Sequence, residues 1–153
     1  MITSTLDVEK VLDVIVQEVP KVIGVDAATI RLLDAAGEKL ILKASFGLSR
    51  EYLNRGPIDA ELSVIKALAG IPVAIPDALS YPHIQHKKAI GKEGIKSILV
   101  APIIMKEEIK GVLRLLSKTQ RLFKNREIEF VAALAEQCGI AIENARVYEE
   151  QNR

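Results

Sequence analysis

The stretch Gly94-Ile-Lys-Ser-Ile-Leu-Val-Ala-Pro-Ile-Ile-Met-Lys-Glu-Glu-Ile-Lys-Gly-Val-Leu-Arg-Leu-Leu-Ser117 decides the fold. Ile98 to Met105 is apolar at odd and even positions alike, the pattern of a central strand covered on both faces. Polar Lys106-Glu107-Glu108 reverses the chain, and the segment that follows returns as the partner strand of a hairpin. One long helix comes next. Asn125 is placed to cap it, Glu127 adds charge at its positive end, and no proline interrupts it. At 1.5 Å per residue, Arg126 to Glu150 spans roughly 37 Å, about the diameter of a domain of this length.

Two apolar stripes run along that helix. Ile128, Val131, Ala135, Cys138, Ile142 and Ala145 form a seam of period 3.5, and Leu134, Ala141 and Tyr148 lie beside it. The pair suggests one face for the domain's own sheet and another for a second copy of the chain. The expected dimer interface is therefore Val131, Leu134, Ala135, Cys138, Ala141, Ile142, Ala145 and Tyr148. A broad core stripe on an ordinary amphipathic helix is the competing account.

Upstream, Ser4 or Thr5 can cap a first helix with apolar Val8, Val11, Leu12, Ile15, Val19 and Val22, closed by Gly24, with a kink or restart expected at Pro20. Asp26 to Asp34 and Lys39 to Phe46 read as strands, the second with Leu40, Leu42, Ala44 and Phe46 on one face. Leu48 to Asn54 makes a helical turn and Glu61 to Ala69 a helix. Pro72 to Pro76 is confined to a short edge strand by its prolines. Asp77 to Glu93 is the most polar interior stretch and suits a lid or crossover. Strands, a helical insert, more strands and a helix give an α+β domain with a mixed or antiparallel sheet.

Composition narrows the function. At 153 residues, with 49% hydrophobic, the chain is most simply one domain over residues 1–153 that buries a sizeable core. A formal charge of +1 and the absence of Trp give no case for nucleic acid. No apolar run reaches the roughly 18 residues of a membrane span, and the first residues lack the regions of a signal peptide, so a soluble cytoplasmic domain is expected. The single cysteine, Cys138, lies on the helical seam and reads as a small core residue.

The order and spacing of several fragments carry a resemblance. Ile75-Pro-Asp77, Lys92-Glu-Gly-Ile-Lys-Ser97 leading into Val100-Ala-Pro-Ile103, Ile109-Lys-Gly-Val-Leu113, Leu122-Phe123 and Ile140-Ala-Ile-Glu-Asn-Ala-Arg-Val-Tyr148 together resemble a GAF domain, over essentially the whole chain. The resemblance implies a central antiparallel sheet of five or six strands, with the terminal helices on one face and short helices and loops roofing a small-molecule pocket on the other. It also implies pairing of terminal helices between protomers, and an output signalling domain if the chain is a fragment of a sensor such as a histidine kinase. The family commonly places Gly in the hairpin turn where this chain has Lys106-Glu107-Glu108.

Candidate ligand-binding residues come from the insert and the sheet face beneath it: Phe46, Tyr52, Ile75, Asp77, Tyr81, His83, His86 and Ser97. Mostly apolar walls with a few oriented polar groups are what small-molecule recognition requires. Asp77, after a strand and before a turn, is equally placed to satisfy local backbone amides. His83 and His86 are three apart but have no third ligand at metal spacing, so no metal is assigned and haem is not expected. Cyclic-nucleotide-binding members carry Asn-Lys, then Phe, then Asp-Glu. Here only Lys118, Phe123 and Glu127 match, with a Lys118–Glu127 ion pair as the remaining device. Arg114 and Lys110 alternate with apolar residues and mark the solvent edge of a strand. The phytochrome type's bilin cysteine and the free methionine sulfoxide reductases' cysteines are absent from the pocket region. No nucleophile stands beside a base. The expectation is a non-catalytic sensory domain for an unidentified small molecule. A dimerisation module with a filled pocket and a cyclic-nucleotide-binding domain are the alternatives.

Overall fold

The structure, a computed structural model, describes residues 7–54, 62–81 and 86–151. Strands β1 (Ala27–Leu33), β2 (Leu40–Phe46), β3 (Val73–Ile75), β4 (Ser97–Met105) and β5 (Glu108–Ser117) pair antiparallel in the order β2-β1-β5-β4-β3. The hairpin supplies the middle of the sheet. β4 and β5 are buried along nearly their whole length, as their apolar pattern predicts. The proline-flanked β3 pairs only with β4, at the edge.

Helices α1 (Val8–Ile23) and α5 (Asn125–Gln151) cover one face. The other face carries the insert, with α2 (Arg50–Leu53), α3 (Leu62–Leu68), α4 (Lys87–Glu93) and a 3-10 turn at Ala78–Ser80. The sheet thus separates two apolar cores. On the helix side, Leu12, Val16 and Val19 of α1 and Val131, Ala135 and Ile142 of α5 pack on Ile30, Leu99, Ala101, Leu113 and Leu115. On the insert side, Tyr52, Val64, Ile75, Ile90 and Ile95 pack on Ile98, Val100, Val112 and Leu116.

Several local expectations change. Ser4 and Thr5 lie outside the described residues, and α1 is capped by Asp7, whose carboxylate accepts from the Glu9 N–H at 2.9 Å. The helix continues through Pro20, because a proline in the last turn removes a single helical hydrogen bond and Gly24, at φ 85°, closes the end. Val22 is exposed and Val16 takes a place in the stripe instead. In β2 a bulge opposite Ile30 and Arg31 shifts the register. Leu40 and Leu42 therefore share the insert face with Arg31 and Leu33, while Ala44 and Phe46 lie on the helix face opposite Ile30 and Ala28. At the start of α5 the carboxylate of Glu127, rather than Asn125, satisfies a backbone amide, accepting from Lys124 N–H at 3.0 Å.

The 3.5-period seam of α5 faces inward. Val131, Ala135, Cys138, Ile142 and Ala145 are all buried within the domain, where α5 packs chiefly on β4, and Leu134 packs at the edge of the helix-side core. These residues are core and not a free interface, and Ala141 and Tyr148 are half-buried beside them. Burial pushes the Cys138 thiol up to about 11, so it stays protonated at neutral pH. Closest to the sheet is Gly139, whose missing side chain lets the Ile104 carbonyl approach the helix backbone.

Met105 pairs with Glu108, leaving Lys106 and Glu107 as a two-residue turn with φ of 52° and 66°. That mirror-image turn fits the twist of the hairpin but favours Asn-Gly. Neither residue here is Gly. Glu107→Gly should therefore relieve about 1 kcal/mol of left-handed strain and raise the thermal midpoint by roughly 2–4 °C, measured by calorimetry.

Candidate functional site

The insert side of the sheet is the candidate site. Its floor is the even-numbered face of β4 and β5, Ile98, Val100, Val112 and Leu116, continued by Ala27 and Leu40. Its roof is built from elements too short to be stable alone: α2 has 4 residues, α4 has 7 and the 3-10 turn has 3. They hold their places by burying Tyr52, Ala78 and Ile90, and by polar contacts at their ends.

One residue joins two of those elements. The Ser49 hydroxyl caps α2 by accepting from Tyr52 N–H at 3.1 Å and donates to Glu93 Oε1 of α4 at 2.6 Å. Ser49 N–H donates to the same carboxylate at 2.8 Å, and Lys92 meets Glu51 at 2.7 Å. The Glu51 carboxylate holds the Lys92 ammonium above the ordinary lysine pKa. These contacts are on the surface, where each ion pair contributes only about 0–1 kcal/mol. The clasp positions the roof without locking it.

Of the sequence-predicted residues, Tyr52 and Ile75 are fully buried in the insert-side core, and Tyr81 packs against it. Asp77 follows β3 and accepts from the Ser80 hydroxyl at 2.8 Å, without the backbone-amide cap its position suggests. His86 precedes α4 as its N-cap with φ 60° and gives its carbonyl to Ile90 N–H at 3.0 Å. His83 lies outside the described residues. Two expectations move to the other face. Phe46, 39% exposed, pairs with Ala28 on the helix side because of the β2 bulge. Ser97 has the parity of Leu99 and Ala101, and its hydroxyl donates to the Thr119 carbonyl at 2.8 Å. Among the described residues no cluster of His, Cys, Asp and Glu is arranged to hold a metal.

Three polar residues on the insert face were not in that prediction. Arg114, 1% exposed, sits directly across from Thr29, and Arg31, 6% exposed, is two residues further along β1. Both strand positions point under the insert, with the parity of Val112 and Leu116 on β5 and Ala27 on β1. Arg114 is thus a floor residue and not a solvent edge. The alternation of β5 identifies its face, but the burial comes from strand order: β5 is central, so its second face is covered too. Each guanidinium engages other groups of the domain. Lys110, by contrast, is partly exposed and pairs with Glu108 at 3.4 Å.

The cyclic-nucleotide signature loses its remaining pair. Glu127 is bridged by Arg121, which also stands 4.8 Å from the centre of the Phe123 ring. Lys118 instead donates its backbone N–H to Asp26 Oδ2 at 2.7 Å.

With this geometry in hand, comparison with known proteins gives one family. A model of the GAF domain matches residues 7–142. Among solved structures, the chain is similar to a domain of a two-component sensor histidine kinase protein from Sinorhizobium meliloti, with TM-score 0.79 and 20% identity over 95% of this chain and 96% of that one. The GAF domain of a phosphoenolpyruvate-protein phosphotransferase from Coxiella burnetii gives TM-score 0.79 and 23% identity over 94% and 87%. A GAF domain from Synechocystis sp., solved in its photoproduct state, gives TM-score 0.76 and 14% identity over 96% and 100%. At these identities the likeness is one of fold. No curated protein sequence matches. No helix among the described residues is long and apolar enough to cross a membrane.

Proposed function

Because the chain belongs to the GAF domain family, we propose that it is a non-catalytic regulatory domain that senses a small molecule held between the sheet and the insert. In this reading the ligand favours one closure of α2, the 3-10 turn and α4 over the floor residues. The sheet passes that change to α1 and α5, and the setting is cytoplasmic signal transduction of the sensor-kinase kind. The observation that supports it is the construction of the roof. Short helices, seated on apolar side chains and clasped at Ser49–Glu93 and Glu51–Lys92, form an element of low intrinsic stability over a rigid sheet. In this reading the element has two arrangements that differ by little, and a ligand shifts the balance by its differential affinity.

A panel of nucleotides, amino acids and organic acids tests this by thermal unfolding. A compound at about 100 times its Kd should stabilise the chain by about 2.7 kcal/mol, or roughly 5–10 °C. Glu93→Gln, which loosens the clasp, should reduce that shift while changing the unliganded midpoint little. A flat response across the panel favours the second reading, an assembly module whose interior is filled by Tyr52, Ile75, Ile90 and Ile95.

A further inference from the structure

Among the described residues, the buried cationic side chains are Arg31 of β1 and Arg114 of β5, 6% and 1% exposed, and both lie on the sheet face beneath the insert. The register pairs Thr29 with Arg114 and Arg31 with Val112, which makes the arginines diagonal neighbours on adjacent strands. Diagonal positions of this kind stand roughly 7–8 Å apart. Apolar Ala27, Leu40, Val112 and Leu116 belong to the same core. Burying two like charges side by side in such surroundings works against folding, and well-packed apolar side chains at both positions would be at least as stable. The placement has its reason in the site whose floor the two residues form.

Each arginine already engages other groups of the domain. A guanidinium has five N–H donors, more than a single partner group uses. In both side chains the Nε–H is enclosed with no hydrogen-bond acceptor among the described residues. On the roof, the phenolic oxygen of Tyr52 is enclosed in the same way, in a side chain 2% exposed. The carboxylates that the described part of the insert carries are committed on its outer side, Glu51 to Lys92, Asp77 to Ser80 and Glu93 to Ser49. The interior thus offers donors, and an acceptor brought by a ligand complements them.

We propose that the molecule sensed under the insert is an organic carboxylate with an apolar body, its carboxylate bound by Arg31 and Arg114 and reached by the Tyr52 hydroxyl. The proposal rests on the sensing role and names the ligand class for it. A carboxylate presents two oxygens with about four lone-pair positions, which two Nε–H groups and one phenol O–H nearly fill. A phosphate ester brings three acceptor oxygens and close to two charges. The rest of the core, Ile75, Ile90, Ile98 and Val100, supplies no side-chain donor for them. Those apolar side chains suit the body of the ligand instead. An uncharged amide forfeits the charge-assisted bonds, which are roughly twice as strong as neutral ones. Because the arginines belong to the sheet and Tyr52 to α2, one carboxylate bridges floor and roof, and this bridge is its differential affinity for the closed insert.

Thermal unfolding of the full chain at neutral pH, with butyrate, hexanoate, benzoate and phenylacetate each set against its own primary amide, tests the charge directly. At least one carboxylate at about 10 mM should raise the midpoint by roughly 3 °C or more, and its amide by less than about 1 °C. Arg114→Met and Arg31→Met, with unchanged far-UV circular dichroism, should each cut that carboxylate's shift to below about 1 °C, while Arg114→Lys, which keeps the charge and loses the fork, retains part of it. If one Met variant fails to fold, the other variant and the wild-type contrast between acid and amide still decide. Butyl phosphate and phenyl phosphate form the second arm. Amides that stabilise as well as the acids, phosphate esters that act in their place, or full shifts in the Met variants overturn the carboxylate assignment and leave sensing intact. A flat response to all of these compounds overturns the assignment alone when the wider panel of nucleotides and amino acids responds, and the sensing role with it when that panel is flat too.

Discussion

Gly139→Ala is expected to lower the thermal midpoint by roughly 4–12 °C, equivalent to about 2–3 kcal/mol. A Cβ on Gly139 would stand 2.0 Å from the Ile104 carbonyl oxygen and 2.9 Å from its carbon. Both are backbone atoms of a strand buried in the sheet, so neither can swing aside like a side chain. α5 has to lift off β4, which disturbs the packing of Ile142 and Ala135 on either side. Intrinsic helix propensity argues the other way, since alanine in a helix interior is favoured over glycine by about 1 kcal/mol. The clash is the larger effect. Gly91 separates the two contributions, because a Cβ there meets nothing within 4 Å and its φ is not left-handed. Gly91→Ala should keep only the propensity gain and raise the midpoint by roughly 2–4 °C. Differential scanning calorimetry on both variants reads the two signs directly.

Ile142→Ala should cost about 2–5 kcal/mol, whereas Ile140→Ala, two residues away, should change stability by no more than about 0.5 kcal/mol. Ile142 is 0% exposed in the helix-side core and Ile140 is 50% exposed. The two side chains have the same chemistry and the same helix, so the contrast measures which stripe of α5 faces the sheet. Denaturant unfolding of the two variants, with the slope checked for constancy, provides the numbers. Equal losses would mean that both stripes are core. A loss confined to Ile140 would reverse the orientation described above.

The hairpin and the long helix were legible because their signals are strong: apolar residues on both faces of Ile98 to Met105 and an unbroken helical run after Asn125. The direction of the α5 stripes was not legible. Periodicity measures spacing, and this helix carries two stripes of the same spacing. Val131, Ala135 and Ile142 form the buried one; the exposed one, Phe130, Ala133, Ile140 and Val147, is not the Leu134, Ala141 and Tyr148 stripe that the sequence singles out. Gly139 was the available clue, since a glycine deep in a helix flags a close backbone neighbour. The β2 face was misjudged for a different reason. A bulge inserts one residue, which flips the parity of everything beyond it, and Lys43 carries no signal that announces it.

In the insert, some of the residues singled out from the sequence share one buried face with the sheet and others do not. Tyr52 faces the floor from α2, and Ile75 joins the floor beside Ile98, each as an apolar residue on the buried side of its element. Phe46 and Ser97 moved to the opposite face, Phe46 through the bulge and Ser97 through strand parity. Arg114 reads as a solvent edge in the sequence, and Arg31 passes for the polar side of its strand, because a charged residue alternating with apolar ones ordinarily marks solvent. Strand order decides otherwise, and strand order depends on pairings distant in sequence.

One side of the sheet packs the terminal helices, and in the proposed function the other receives a chemical cue. Mass spectrometry of the freshly purified chain, first under native conditions and then denatured, tests it most directly. The account predicts that the native protein carries the extra mass of a small molecule, released when the insert unfolds. Identical native and denatured masses per chain would contradict it.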